Sequence, residues 1–498
     1  MKNTKLIQTL KTFTKDEMKL FEKFVASPYF NNGRNYLPFL KEIQNHYPDF
    51  EDLKGKLTSE SVYKKLYPGK KFNKQVMWNQ VSQLEKLALE FILQTALRNS
   101  RSERFIMMFN ELSNRNLDKH AFKEIEKADK HLNTLKLGEE YFSLKLQAEI
   151  NRADYWNSVL GRPDKNFEGA VKNTEYLILK FLADLSIQVW DLNILKLMYS
   201  ASLEIDSALE LVRSLDLKKL MKVNKKRGTK FSKVLNFYYN KIMCALDEND
   251  ESYFFDMKAF FDKNYDLFDK QEQHNAIISL ANYCAHKIRL GEDRFLKVLF
   301  EINKFRLEKE YGAFSQLRIN KALFHQILRS ALSIGEIQWA EHFVKEYTSK
   351  LKKEHQKTMT SLALGYICFT KKDYAESLHH LNEVEFIDLR DKLHVRILSA
   401  KAYYELNKTE ALFYFIDSSK HFIGKNTAID SDTKDAYLKF FNFLNKILTC
   451  KEKSDLHKLK LLREDIELDK IVRQRQKNWL LEKIEEQLSS LPDHHARD

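Results

Sequence analysis

Along the first hundred residues, apolar positions recur at helical spacing and polar capping residues mark where each helix should start. Thr14 followed by Glu17 has the spacing of a capping box, which predicts a helix from near Lys15. Met18, Leu20, Phe21, Phe24 and Val25 give it an apolar face. It stops near Ser27, because Pro28 disfavours helical geometry in the residue before it. The segment "FNNG" then turns the chain. Asn35 is placed to cap the next helix, with Pro38 tolerated in its first turn, and that helix ends near Tyr47-Pro48. Thr58 predicts a further N-terminus with Leu57 and Val62 as its hydrophobic staple, and Pro68-Gly69 closes that short helix. Asn73 caps a longer one, stapled by Phe72 and Met77. Val76, Val81, Leu84, Leu87, Ala88, Phe91 and Ile92 carry its stripe to about Leu97. The corner after the first of these helices crowds Tyr29, Phe30, Tyr36 and Phe39 together, and Phe30 and Phe39 are expected to be buried there.

From about residue 103 the pattern changes to long amphipathic helices separated by short polar breaks such as "LDENDE", "RLGEDR" and "SIGEI". The clearest unit is "SLALGYICFTKKDYAESLHHL". It has Leu364-Gly365, a turn at Lys372-Asp373-Tyr374, the small Ser377, and Leu381 four residues later. Gly365 and Ser377 would let the two helices of a hairpin approach closely. Neighbouring stretches fit the same frame. Gly335 precedes Ala340 and Val344, and Ala400 and Tyr403 precede Ala411 and Phe415. The small second-helix residues at 340, 377 and 411 give steps of 37 and 34 residues. This resembles the tetratricopeptide superfamily, most clearly over 320–420. Ser361 stands where that family usually has Trp, Cys368 where it has Tyr, and no proline closes the unit. The resemblance implies a right-handed α-α solenoid that serves as a protein-interaction scaffold. The chain is also similar to a group of helical-repeat proteins of the Bacteroidota with an N-terminal SPYFN segment, here Ser27-Pro28-Tyr29-Phe30-Asn31. That similarity implies no activity.

Composition supports an all-α fold. The chain has 12 glycines and 6 prolines in 498 residues, where an average chain of this length would hold about 60 of the two together. The expected organisation is a helical N-terminal domain over 1–100, with a helix-turn-helix-like segment at 58–98. A degenerate helical-repeat solenoid follows over 101–464, then a C-terminal capping helix and polar tail over 465–498. Four dispersed cysteines, Cys244, Cys284, Cys368 and Cys450, suggest neither a zinc site nor a disulfide framework. With no signal-peptide core and no apolar run of membrane-spanning length, the expected location is the cytoplasm.

Charge adds two candidate patches to the net +13. One is Lys64, Lys65, Lys70, Lys71 and Lys74, around the helix-turn-helix-like segment, where Lys74, Gln75, Trp78, Asn79 and Gln83 could face a major groove. Trp78 and Met77 also read as packing residues, and a helical cap is the favoured role for this segment. The other patch is Lys218 to Lys233, which includes Lys225, Lys226, Arg227 and Lys230 and reads first as a solvated loop. Either patch could take nucleic acid or another anion.

Catalytic patterns are missing. There is no phosphate-binding glycine loop, HExxH or GxSxG, and the Glu376/His379 pair reads as a solvated helix face. The expectation is a non-enzyme with no cofactor and no metal. In a tetratricopeptide-like array the first helix of each hairpin lines a groove. The candidate partner-binding residues are therefore His325 and Arg329, then Met359, Leu362, Tyr366 and Phe369, then Ile397, Lys401 and Tyr404. The C-terminal helix, expected over 465–488 with Ile466, Leu468, Ile471, Trp479, Leu480 and Ile484, could cap the array or fill that groove. The expected function is a scaffold or adaptor for a partner protein. The alternative is a nucleic-acid-associated regulator.

Overall fold

In the computed structural model of the chain, most of the predicted caps are in place. Thr14 Oγ1 accepts the Glu17 amide at 3.2 Å and the Glu17 carboxylate accepts the Thr14 amide at 2.7 Å, which closes the box. Thr58 accepts from the Ser61 amide and Asn73 from the Val76 amide, each at 3.1 Å. Asn35 acts from one position further out. Its side chain accepts the Leu37 amide at 3.1 Å, while Tyr36 is the N-cap. The structure describes residues 4–51, 57–159, 161, 163–199, 203–227, 231–311, 317–385, 389–429 and 431–490. Among them the protein is all-α, 82% helical and without strands. No helix among them is long and apolar enough to cross a membrane.

The chain divides into two compact units. The first, Met1–Leu135 with Glu140–Leu177, begins with Lys5–Leu10 (α1), Lys15–Ala26 (α2), Pro28–Asn31 (α3) and Leu37–Gln44 (α4). It continues through Ser59–Leu66 (α5), Lys74–Asn99 (α6), Arg101–Asn114 (α7), Asp118–Leu132 (α8) and Glu139–Asp154 (α9) into Pro163–Tyr199 (α10). The short α3 stands where "FNNG" predicted only a turn, and α4 ends at Gln44 rather than near Tyr47. Phe21, Phe39, Leu40 and Phe91 are buried in one cluster, each worth about 1.5–3 kcal/mol of burial. Phe39 is buried as expected. Phe30 is only half-buried, stacked on Phe24 with ring centroids 3.9 Å apart, because Phe24 itself lies at the rim of the cluster. Tyr29 is 84% exposed. Of the predicted packing pair on α6, Met77 is buried but Trp78 is 63% exposed.

The second unit, Lys136–Glu139 with Ile178–Asp498, carries Leu203–Arg213 (α11), Leu217–Arg227 (α12), Ser232–Leu246 (α13), Ser252–Asn264 (α14) and Lys270–Arg289 (α15). Phe295–Tyr311 (α16), Lys321–Ser333 (α17), Ile337–Tyr347 (α18), Lys353–Thr370 (α19) and Tyr374–Asn382 (α20) follow. Leu389–Glu405 (α21), Thr409–Lys425 (α22), Ser431–Lys453 (α23), Leu456–Leu468 (α24) and Gln474–Ser490 (α25) complete it. Sequence neighbours pack as pairs (α13 with α14, α15 with α16, α17 with α18, α19 with α20, α21 with α22), and α19 also touches both α17 and α21. The basic stretch read as a loop is largely helix α12.

The hairpin turns share one device. At Asn116, Gly291, Gly335, Lys372, Asn407 and Ser454 the backbone is left-handed, with φ from 51° to 95°. The residue after each donates its amide to the carbonyl five residues back: Leu117 to Leu112, Glu292 to Lys287, Glu336 to Ala331, Asp373 to Cys368, Lys408 to Tyr403, Asp455 to Cys450. These are Schellman closures, which satisfy the last carbonyls of the preceding helix. In the hairpin read most clearly from sequence, Ser377 Oγ donates to the Gly365 carbonyl at 2.8 Å, and a Cβ on Gly365 would stand 2.8 Å from Leu381. The next hairpin needs a correction. Ala411 is exposed and Leu412 is buried, because α22 starts at Thr409 and its fourth residue, like Ala340 and Ser377 in theirs, is the one that faces inward.

The C-terminal helix is also corrected. Residues 465–488 do not form one helix, because Asp469 breaks it. The Asp469 carboxylate accepts the amides of Ile471 at 2.9 Å and Val472 at 2.7 Å and pairs with Lys439, which holds a turn between α24 and α25.

Candidate functional site

Helices α17, α19 and α21 each open a hairpin, and the groove-lining residues predicted from sequence all lie on them. Their fates differ. Met359 and Leu362 are buried in a cluster with Phe324, Ile327 and Phe343. Ile397 and Tyr404 are buried in another, with Trp479 and Leu480. Phe369 is half-buried against the Tyr374 ring, 5.2 Å away. None of these five presents a free face. His325, Arg329, Tyr366 and Lys401 are half-buried, and they are the part of the set that structure brings together. The Tyr366 ring lies 5.3 Å from His325, and the His325 ring 4.5 Å from His394. Tyr366 Oη stands 3.4 Å from His394 Nδ1.

Against the ends of α17 and α21 lies α25. Arg475, Trp479, Lys483 and Gln487 recur every four residues and so share one face. Arg475 donates to Ser333 Oγ at the end of α17. Trp479 meets the Tyr404 ring edge-on at 5.4 Å and donates from Nε1 to Glu405 at 3.1 Å. Lys483 pairs with Glu405 at 2.9 Å, and Gln487 donates to Tyr404 Oη at 2.5 Å. The last helix therefore packs on Tyr404 and Glu405 of α21 and reaches Ser333 of α17. His394, Ser333 and Arg475 were missed in the sequence. The four-residue spacing from Arg475 to Gln487 is the signal that could have found the last.

Electrostatics separates the two lysines beside Trp479. The Lys401 ammonium lies 4.7 Å from the indole centroid. Burial, then the charges of Arg475 and Arg329, push it down to about 7, with Glu482 and Glu405 pulling weakly the other way. Arg475, although the residue is exposed, is lowered to about 10, first by desolvation of its guanidinium against the neighbouring helices and then by Arg329. Burial alone would lower Lys483 too, but the hydrogen bonds it donates to Glu486, Glu405 and Glu482 outweigh it and raise the group.

The basic patches lie on other helices than this site. Lys64, Lys70, Lys71 and Lys74 are exposed, while Lys65 pairs with Glu42. Lys225 and Lys226 are exposed on α12. Arg227 is its last residue, and Lys230 lies outside the described residues. Among the described residues no group of His, Cys, Asp and Glu is arranged to hold a metal. The Glu376 carboxylate stands 3.4 Å from His380 rather than pairing with His379. Cys244, Cys284 and Cys450 are buried thiols, and burial raises Cys284 to about 12, away from the reactive thiolate form. No protein-family model, curated protein or solved structure matches this chain.

Proposed function

We propose that this chain is a non-catalytic scaffold or adaptor, a tetratricopeptide-like α-solenoid that takes a helical segment of a partner protein against α17, α19 and α21. An N-terminal helical domain of about 100 residues would precede the array, following the capping signals there. One observation carries the reading: the protein's own α25 is seated on α17 and α21 through Arg475, Trp479, Lys483 and Gln487. A surface that accepts one amphipathic helix has the width and chemistry for another. The resident helix would then set the threshold that a partner must exceed. The test is affinity capture from the native cell with the full chain and with an Arg329→Glu/Lys401→Glu variant, each with and without nuclease. Partners retained by the wild type and lost by the folded variant support the reading. An unchanged set of captured proteins sinks it.

The nucleic-acid reading has one observation of its own, the exposed Trp78 beside Lys74 on the first turns of α6. An indole next to phosphate-binding lysines is a stacking platform for single strands. Titration of the full chain with single-stranded and duplex DNA at low and high salt tests it. Absence of salt-sensitive binding at micromolar protein, or binding unaffected by Trp78→Ala, removes it.

A further inference from the structure

The inner face holds more positive charge than the chain itself neutralises. Arg475 hydrogen-bonds Ser333, one helical turn beyond Arg329 on α17. Lys401 lies over Trp479, one turn beyond Arg475 on α25. Arg329, Lys401 and Arg475 are thus drawn together from three helices, near enough that Arg329 and Arg475 both disfavour the charge on Lys401. The carboxylates that act on them are Glu405 and Glu482 for Lys401 and Asp293 for Arg475. Glu405 is already engaged by Trp479 and Lys483. Among the described residues none of the three cations forms an ion pair, and Arg329 Nε is buried without a hydrogen-bond partner. Tyr366, His325 and His394 flank the cluster with ring nitrogens and a phenol rather than carboxylates.

Gathering like charges in a partly dry place is unfavourable, and the contacts of Arg475 with Ser333 and of Lys401 with the Trp479 ring neutralise none of the charge. We propose that Arg329, Lys401 and Arg475 form a binding site for a dianionic phosphoryl group, either inorganic phosphate or the phosphate of a small phosphorylated molecule. Two guanidinium forks and an ammonium offer more donors than the two oxygens of one carboxylate can accept, and they suit a tetrahedral oxyanion. The bound dianion would offset the mutual repulsion and tie α25 to α17 and α21. This site stands whether or not a partner protein uses the same face.

Calorimetric titration of the full chain in phosphate-free buffers at about pH 7.5 tests it, with orthophosphate, AMP and acetate as the probes. Buffers of different ionisation enthalpy report proton uptake, which phosphate should cause by returning Lys401 to its charged form. One-site saturable binding of orthophosphate or AMP with proton uptake is expected. Tighter AMP than orthophosphate identifies a carried phosphoryl group, and the reverse identifies the free ion. Arg329→Met and Lys401→Met should each weaken binding about tenfold or more, and Lys401→Met should also abolish the proton uptake. The idea is overturned by no saturable binding at millimolar probe, by acetate binding as well as phosphate, or by variants that bind like the wild type. Should either variant fail to fold, proton uptake by the wild type decides the matter alone.

Discussion

Two buried lysines in the second unit meet opposite surroundings. Lys241, on α13, is 1% exposed and pairs with Glu272 at 2.8 Å beside the Tyr238 ring, while Trp190 Nε1 donates to its backbone carbonyl at 3.0 Å. Burial still raises Glu272 despite that partner, so desolvation outweighs attraction there. Lys401, on α21, is half-buried among Trp479, Arg329 and Arg475, with no ion pair among the described residues. Where a charge serves packing, the fold supplies its counter-charge from a neighbouring helix. Where the fold gathers three cations, among the described residues it closes no ion pair on any of them, and the proposed dianion would supply what Glu405, Glu482 and Asp293 supply only from a distance. That contrast, more than the count of basic residues, picks out the cluster of Arg329, Lys401 and Arg475 from the rest of a strongly basic protein.

The comparison breaks most readily at Glu272. Glu272→Ala leaves Lys241 buried and alone, and stability should fall by about 3–5 kcal/mol in urea unfolding. The paired replacement Lys241→Met/Glu272→Leu should recover most of that loss. A small effect of Glu272→Ala would mean that water reaches Lys241 and that the contrast is false. On the other side, Lys401 is lowered in the folded state from 10.5 to about 7. The unfolded chain therefore binds more protons between those values, so this group makes stability rise with pH across that window, and its full penalty is present below about 7. The slope is at most about 1.4 kcal/mol per pH unit. In phosphate-free buffer, Lys401→Met should flatten the rise relative to wild type, and parallel pH profiles would refute it. Lys483 sharpens the pair, since it lies over the same indole but holds Glu405, Glu482 and Glu486 at 2.8–3.1 Å. Lys483→Met should cost about 1–3 kcal/mol by leaving the Glu405 carboxylate without its counter-charge, whereas Lys401→Met should raise stability at pH 7 by removing the penalised charge.

Much of the local structure was legible because single residues decide it. Thr14, Thr58 and Asn73 cap helices by their own side chains, and Gly365 with Ser377 fixes a close helix crossing. The register of the repeats was harder to read. Only two of the six left-handed closing residues are glycine, and the rest are Asn116, Lys372, Asn407 and Ser454, so the strongest helix-stop signal is mostly absent. The break before α25 was hidden for a related reason, because Asp469 lies within an apolar stripe that continues on both sides. For the site, His325, Arg329, Tyr366 and Lys401 follow from helix periodicity within one hairpin each. Arg475 arrives from 142 residues beyond Ser333; its four-residue spacing with Trp479, Lys483 and Gln487 marks a shared helix face, but does not say which helix that face meets.

A third lysine bounds the comparison from the solvent side. Lys372 is exposed and sits at φ 65° in the turn between α19 and α20, where its charge has no buried neighbour to answer. Its cost is in the backbone, because an L-residue there crowds Cβ against the following carbonyl. Lys372→Gly should stabilise the protein by about 1 kcal/mol, the left-handed penalty less the extra freedom that glycine has in the unfolded chain. Lys372→Met should leave stability within about 0.5 kcal/mol of wild type, since it changes the charge and keeps the Cβ. Unfolding midpoints of the two variants separate the effects. If Lys372→Met moves stability as much as Lys372→Gly, charge matters even at an exposed turn, and the distinction drawn between Lys241 and Lys401 loses its baseline.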